Sequence, residues 1–118
     1  MDRSRTTAGR VGEDATLAAF RRRGYRLVAR NWRCRLGELD LIVTRGGTLV
    51  FCEVKTRRGP AYGGGYEAVT WRKRTKIRSL AEAYLQETLA RPNAIRFDVA
   101  SVALGPGGPH VELFEDAF

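Results

Sequence analysis

The stretch from Glu38 to Thr56 constrains the fold most: two runs of strand-forming residues flank Arg45-Gly46-Gly47-Thr48. Paired glycines tolerate the positive φ angles that a two-residue hairpin turn requires. A turn at Gly46-Gly47 sets Ile42 opposite Phe51, Asp40 opposite Glu53 and Glu38 opposite Lys55. Because side chains alternate along a strand, Glu38, Asp40, Ile42, Phe51, Glu53 and Lys55 then share one side. Leu39, Leu41, Val43, Val50, Cys52 and Val54 share the other, an uninterrupted apolar face. A one-residue slip would bury the charges, so the pattern specifies its own register.

The rest of the chain reads around this hairpin. Residues 7–23 have a helical pattern, with Thr7 available as N-cap and Gly24 where a C-terminal cap glycine belongs. Residues 25–32 are rich in strand formers. After a Gly-rich loop over residues 58–65, a second helix is expected over 70–89, with Ile77, Leu80, Ala81, Tyr84 and Leu85 at helical spacing, and Pro92 closes it. Two more strands, 95–104 and 111–114, flank the turn-rich residues 105–109. The order αβββαββ predicts an α/β sandwich in which helices flank a central mixed sheet, as one domain over residues 1–118.

Composition narrows the function classes. With 118 residues and 43% hydrophobic content the chain has the size of one globular domain. Its 21 Lys+Arg against 13 Asp+Glu give a formal charge of +8, which favours an anionic polymer as partner. The first residues are polar and no run is long enough to span a bilayer, so a cytoplasmic location without a membrane partner is the default expectation. Cys34 and Cys52 stand alone and His110 is the single histidine, so the ligand set for a zinc site is missing and both cysteines are expected to pack in reduced form.

The chemistry concentrates on the charged side of the hairpin. Directly opposed residues have β-carbons about 4.5–5.5 Å apart, where two carboxylates repel. A hard divalent cation with oxygen ligands, such as Mg²⁺, would remove the repulsion between Asp40 and Glu53 and organise both. The bland alternative is an exposed ion-pair network neutralised by Lys55. The position of the acids within apolar strands favours a site. On the first helix Glu13 interrupts an apolar stripe with Leu17, Phe20 and Gly24; an exposed first-turn glutamate favoured by the helix dipole is the alternative.

The second helix opens with Arg72, Lys73, Arg74, Lys76 and Arg78. Positive charge there works against the helix dipole, a cost that a bound phosphate could recover. With Arg57 and Arg58 these residues are candidates for nucleic-acid contact, against the reading of a solvated basic face. Lys73 lies on the stripe of Ile77, Leu80 and Tyr84, which aims it inward. Tyr62, Tyr66 and Trp71 are expected to pack in the core or loop, with base stacking as the alternative.

Asp40 followed by Glu53-Val54-Lys55 resembles the PD-(D/E)-x-K nucleases of the restriction-endonuclease-like fold. The flanks Asn31-Trp32-Arg33, Gly37-Glu38-Leu39-Asp40-Leu41-Ile42, Val50-Phe51-Cys52-Glu53-Val54-Lys55-Thr56-Arg57, Glu67-Ala68-Val69-Thr70, Arg96-Phe97-Asp98-Val99 and Ala117-Phe118 resemble the YraN family across essentially the whole chain. That family is similar in fold to archaeal Holliday-junction resolvases and carries an endonuclease assignment by analogy. The resemblance implies Asp40, Glu53 and the Val54 carbonyl as ligands of Mg²⁺, with Mn²⁺ as substitute. It implies Lys55 as the cation that steadies the attacking water or the transition-state charge, a further carboxylate from Glu13, and Lys73 beside the acids. Leu39 stands where the motif's proline would be, a position that is not a ligand. The function expected is a metal-dependent endonuclease acting on DNA, with branched or damaged structures among the candidate substrates and a homodimer left open. The alternatives are a non-catalytic nucleic-acid-binding protein with this fold, or an interaction module of the recombination or translation apparatus.

Overall fold

In the computed structural model, which describes residues 7–58 and 70–118, the elements follow the expected order. They are α1 (Thr7–Arg22), β1 (Arg26–Cys34), β2 (Gly37–Arg45), β3 (Thr48–Arg58), α2 (Trp71–Thr88), β4 (Ala94–Gly105) and β5 (Gly108–Phe114). Tyr62 and Tyr66 lie outside the described residues. The helix begins at Thr7 itself, so its N-cap position falls on residue 6, also outside them.

The five strands form one sheet in the order β1-β2-β3-β4-β5, antiparallel except for the β3–β4 pair, which is parallel. A parallel pair needs a crossover, and α2 supplies it. The two helices cover opposite faces. Leu17 and Phe20 of α1 pack on Leu41, Val43, Val50, Cys52 and Ala100, while Ile77, Leu80, Ala81 and Tyr84 of α2 pack on Ile42, Leu49 and Phe51. Alternation along β3 sends Val50 and Cys52 to α1 and Leu49 and Phe51 to α2, so both faces of this strand are apolar, as a central strand requires. Cys34 and Cys52 are both free thiols.

Local signals explain the boundaries. The β2–β3 hairpin closes through Arg45 opposite Thr48, with Gly46 at φ 58° and Gly47 at φ 84°, as a two-residue turn of this hand requires. Helix α1 ends at Gly24, φ 89°, where Tyr25 N–H donates to Phe20 O (3.1 Å) and Gly24 N–H to Arg21 O (3.0 Å). The Phe20 and Tyr25 rings meet edge-on across this cap, the apolar contact that accompanies such a motif.

Two parts of the expected hairpin are corrected. Its ladder runs from Arg45–Thr48 only as far as Leu41–Cys52. Beyond that, β2 is held by β1, with Trp32 opposite Leu39 and Arg33 opposite Glu38. Asp40 and Glu53, and Glu38 and Lys55, are therefore not ladder partners. Freed from β3, the strand turns about Asp40: Leu39 packs with Ile42 and Phe51 on the α2 side rather than with Leu41 and Val43. The sheet forks here, and the charged residues stand at the fork.

Candidate active site

Asp40 occupies the fork itself. Its Oδ2 accepts a hydrogen bond from Val54 N–H at 2.9 Å, so a side chain replaces the backbone acceptor that the interrupted ladder would have offered. Burial, then the charge of Glu53, push the Asp40 carboxyl up to about 7; the charges of Glu13 and Glu38 add to this, and the Val54 bond opposes it. Three other acidic residues thus bear on Asp40. Burial disfavours a lone carboxylate, and a neighbouring carboxylate disfavours it further.

Glu53 is next along the same cluster. Its Oε2 lies 2.8 Å from Lys73 Nζ of α2, which crosses from the covering helix to the sheet. Burial tends to lower the Lys73 pKa, but the hydrogen bond and charge of Glu53, with the charge of Asp40, outweigh it and raise the value. The inward aim read from the helical stripe is therefore observed. Lys55, half-buried, shares the α2 side with Phe51 and Glu53 by strand alternation.

Glu13 is buried, 5% exposed, in the second turn of α1, and the first turn holds no acid. The reading of an exposed first-turn glutamate is thereby set aside. Arg30 Nε donates to its Oε1 at 3.3 Å, and Asn31 Nδ2 lies 3.2 Å from both of its oxygens. Arg30 also pairs with Asp14 at 2.7 Å. Asn31 was missed as a candidate. It adopts φ 56°, in the left-handed region that asparagine tolerates better than other side chains. Its signal in the sequence is a polar, strand-averse residue in the middle of a strand-forming run.

Helix α1 can approach because residue 12 is glycine: a β-carbon there would collide with the Thr56 side chain of β3. The Gly12–Thr56 contact sets how closely the turn that carries Glu13 approaches the sheet, while the buried Thr16 hydroxyl is satisfied within the helix, donating to Gly12 O at 2.8 Å.

The remaining acids and bases divide. Glu38 pairs with Arg33 (3.1 Å), its ladder partner on β1. Arg72 and Lys76 are exposed and Arg74 is half-buried on α2, while Arg57 is half-buried and Arg58 exposed at the end of β3. Arg78 lies over the Phe97 and Phe118 rings, 5.7 and 6.0 Å from their centroids, and so also packs. Asp98, fully buried, is held by Arg96 Nη2 and Nε (2.8 and 2.9 Å) and Asp116 N–H (3.0 Å), a structural network that ties the C-terminal segment to β4. A cavity of about 480 Å³ lies elsewhere, between α1 and β5, lined by Ala15, Ala18, Arg22 and His110 among others.

Among the described residues, no three His, Cys, Asp or Glu side chains converge closely enough to enclose a metal ion by themselves. None of the helices among the described residues is long and apolar enough to cross a membrane.

Fold and site together define a class: an α/β protein with a five-stranded mixed sheet between two helices, carrying neighbouring carboxylates at a fork in the sheet. Residues 12–102 match the model of the uncharacterised protein family UPF0102. The chain is 45% identical to a UPF0102 protein of Frankia alni over 98% of both chains, and 42% identical to one of Pelotomaculum thermopropionicum over the full length of both. A UPF0102 protein of Parafrankia is 52% identical over 80% of each chain. The chain belongs to the UPF0102 family, the family that its motifs resemble under the name YraN.

Proposed function

We propose that this chain is a metal-dependent endonuclease of the restriction-endonuclease-like class that hydrolyses DNA phosphodiester bonds. The observation that carries the reading is Asp40: a half-buried carboxylate at the fork, bonded to the Val54 amide between Glu53 and Lys55 and raised to about 7 by desolvation and by Glu53. Such a group calls for a cation.

The donor set fits Mg²⁺. That ion keeps several waters and is typically bound through one or two carboxylates, whereas a site enclosed by protein alone would need the third acid that the described residues lack. Asp40, Glu53 and the Val54 carbonyl would hold it, with Mn²⁺ as substitute. When bound, it would supply charge neutralisation at the phosphoryl oxygen and an acidified water. Lys55, on the face of Glu53, stabilises the charge that grows on the phosphate in the transition state. Lys73 holds the Glu53 carboxylate in place, and Glu13, fixed by Arg30 and Asn31, adds negative potential at Asp40. Arg57 and Arg58 at the end of β3 and Arg72, Arg74 and Lys76 on α2 would meet the phosphate backbone, with Arg78 held over the Phe97 and Phe118 rings.

One observation favours the second reading, a non-catalytic nucleic-acid-binding protein: Lys73 already neutralises Glu53 without a metal. Titration calorimetry with Mn²⁺ decides between them. The nuclease reading expects binding that Asp40→Asn and Glu53→Gln each weaken strongly in folded protein. Unchanged affinity in both variants would remove the metal site and leave the binding protein.

A further inference from the structure

We propose that Trp71 forms a nucleobase subsite, so that the substrate of this chain presents an unpaired base beside the phosphate that is cut. The proposal rests on the nuclease reading above and names the substrate class it implies: nucleic acid with a single-stranded or branched segment, in preference to continuous duplex.

Trp71 is 79% exposed, although indole is among the side chains with most to gain from burial. The chain's other tryptophan, Trp32, packs edge-on against Tyr84 with centroids 5.3 Å apart. Of the expected core or loop packing of Trp71, the core half is therefore overturned, while the preceding loop lies outside the described residues. It is nevertheless firmly placed. It is the first residue of α2, directly after Thr70, whose hydroxyl accepts Lys73 N–H at 3.2 Å, and its own carbonyl accepts the Thr75 hydroxyl at 3.0 Å. The helical turn that carries the exposed indole is thus anchored.

Its surroundings select the occupant. Arg72, Lys73, Arg74 and Lys76 follow immediately, and a flat aromatic surface among cations matches a base and its phosphates: the charges follow the backbone while the ring stacks on a base. Lys73, two residues on and within the same turn, reaches Glu53 at 2.8 Å. One turn of α2 thus carries both the stacking surface and a cation of the acidic site. Bases inside a continuous duplex have both faces covered by their neighbours. Only an unpaired or terminal base offers a face to Trp71, which is why the subsite discriminates by strand structure.

The test uses the full chain in EDTA, where binding is read without cutting. Tryptophan fluorescence and affinity are followed with a short single strand, the same strand carrying an abasic position, and a duplex with capped ends. The single strand should quench the indole, the duplex should not, and the abasic strand should quench less. Trp71→Phe, which leaves Trp32 as internal reference, should lose the quench and keep most of the affinity. Trp71→Ala should weaken single-strand binding at least about fivefold, the lower end for one lost base–aromatic stack. Single-strand binding as tight in Trp71→Ala as in wild type, or no quench at saturation, would overturn the subsite. The two readings fail separately: a protein that quenches but never cuts with Mg²⁺ overturns the nuclease alone, and one that cuts without quenching overturns the subsite alone.

Discussion

At Asp40 the physical argument has a sign that a titration can check. Its folded pKa, pushed up to about 7, exceeds the ordinary carboxylate value of 3.8, so between these values the folded protein binds the proton that the unfolded chain releases. The protonated carboxyl therefore stabilises the fold at low pH, and that contribution is lost as the pH rises through about 7. Asp40→Asn keeps a carbonyl oxygen to accept Val54 N–H and has no charge to desolvate. Without metal, this variant should be more stable than wild type at pH 8, with the difference shrinking towards pH 5, as measured by urea unfolding at each pH. A wild type that remains the more stable at pH 8 in EDTA would show that the carboxylate is already compensated. On the proposed function, saturating Mg²⁺ should reverse the order at pH 8, because an ion held by the folded wild-type site would stabilise it by linkage.

The elements that meet at the fork impose their own requirement. Helix α1 lies close to β3 at Gly12, where alanine would satisfy helix propensity by about 1 kcal/mol but would force the Thr56 side chain aside. Overpacking of this kind costs about 1–3 kcal/mol, so the steric effect wins. Gly12→Ala should lose up to about 2 kcal/mol by the same bookkeeping, and Thr56→Ala in the same chain should recover part of it. An alanine variant as stable as wild type in urea would mean that α1 rides higher than the contact implies. Much of this architecture was legible in the sequence. Glycine pairing gave the hairpin turn, apolar spacing gave both helices, and the order of elements gave the mixed sheet. The fork was not legible, because ideal alternation assumes that two strands stay paired, whereas the Asp40 side chain replaces a ladder bond. Asn31 was hidden for a related reason: a left-handed residue inside a strand follows from tertiary demand at Glu13 and leaves only a weak local signal.

Over the whole molecule, the formal charge of +8 is unevenly used. Arg96 and Arg30 pair with buried acids and Arg78 lies over aromatic rings, whereas Arg72 and Lys76 stand exposed on α2, the helix that also carries Lys73 to Glu53. On the proposed function they and Arg74 would meet phosphate. Nucleic-acid affinity should therefore fall steeply with salt, by about −0.9 in log–log slope for each duplex phosphate neutralised. Replacing Arg72, Arg74 and Lys76 together should flatten that slope, and an unchanged slope would move the binding surface elsewhere. The basic run was readable from sequence; its division between packing and open surface required the positions of Phe97 and Phe118.

The central claim is that the acids at the fork, with Lys55, cut phosphodiester bonds. Its most direct test is single-turnover cleavage of labelled single-stranded, duplex and four-way DNA by purified wild type, Asp40→Asn and Lys55→Ala, with Mg²⁺ or Mn²⁺ and with EDTA. The expected result is cutting by wild type that requires the metal, no cutting by Asp40→Asn, and cutting at least about tenfold slower by Lys55→Ala with DNA binding nearly retained, since one lost electrostatic donor typically costs about 10²–10³ in rate. Wild type that binds yet cuts none of these substrates, or Lys55→Ala and Asp40→Asn that cut as fast as wild type, would contradict it.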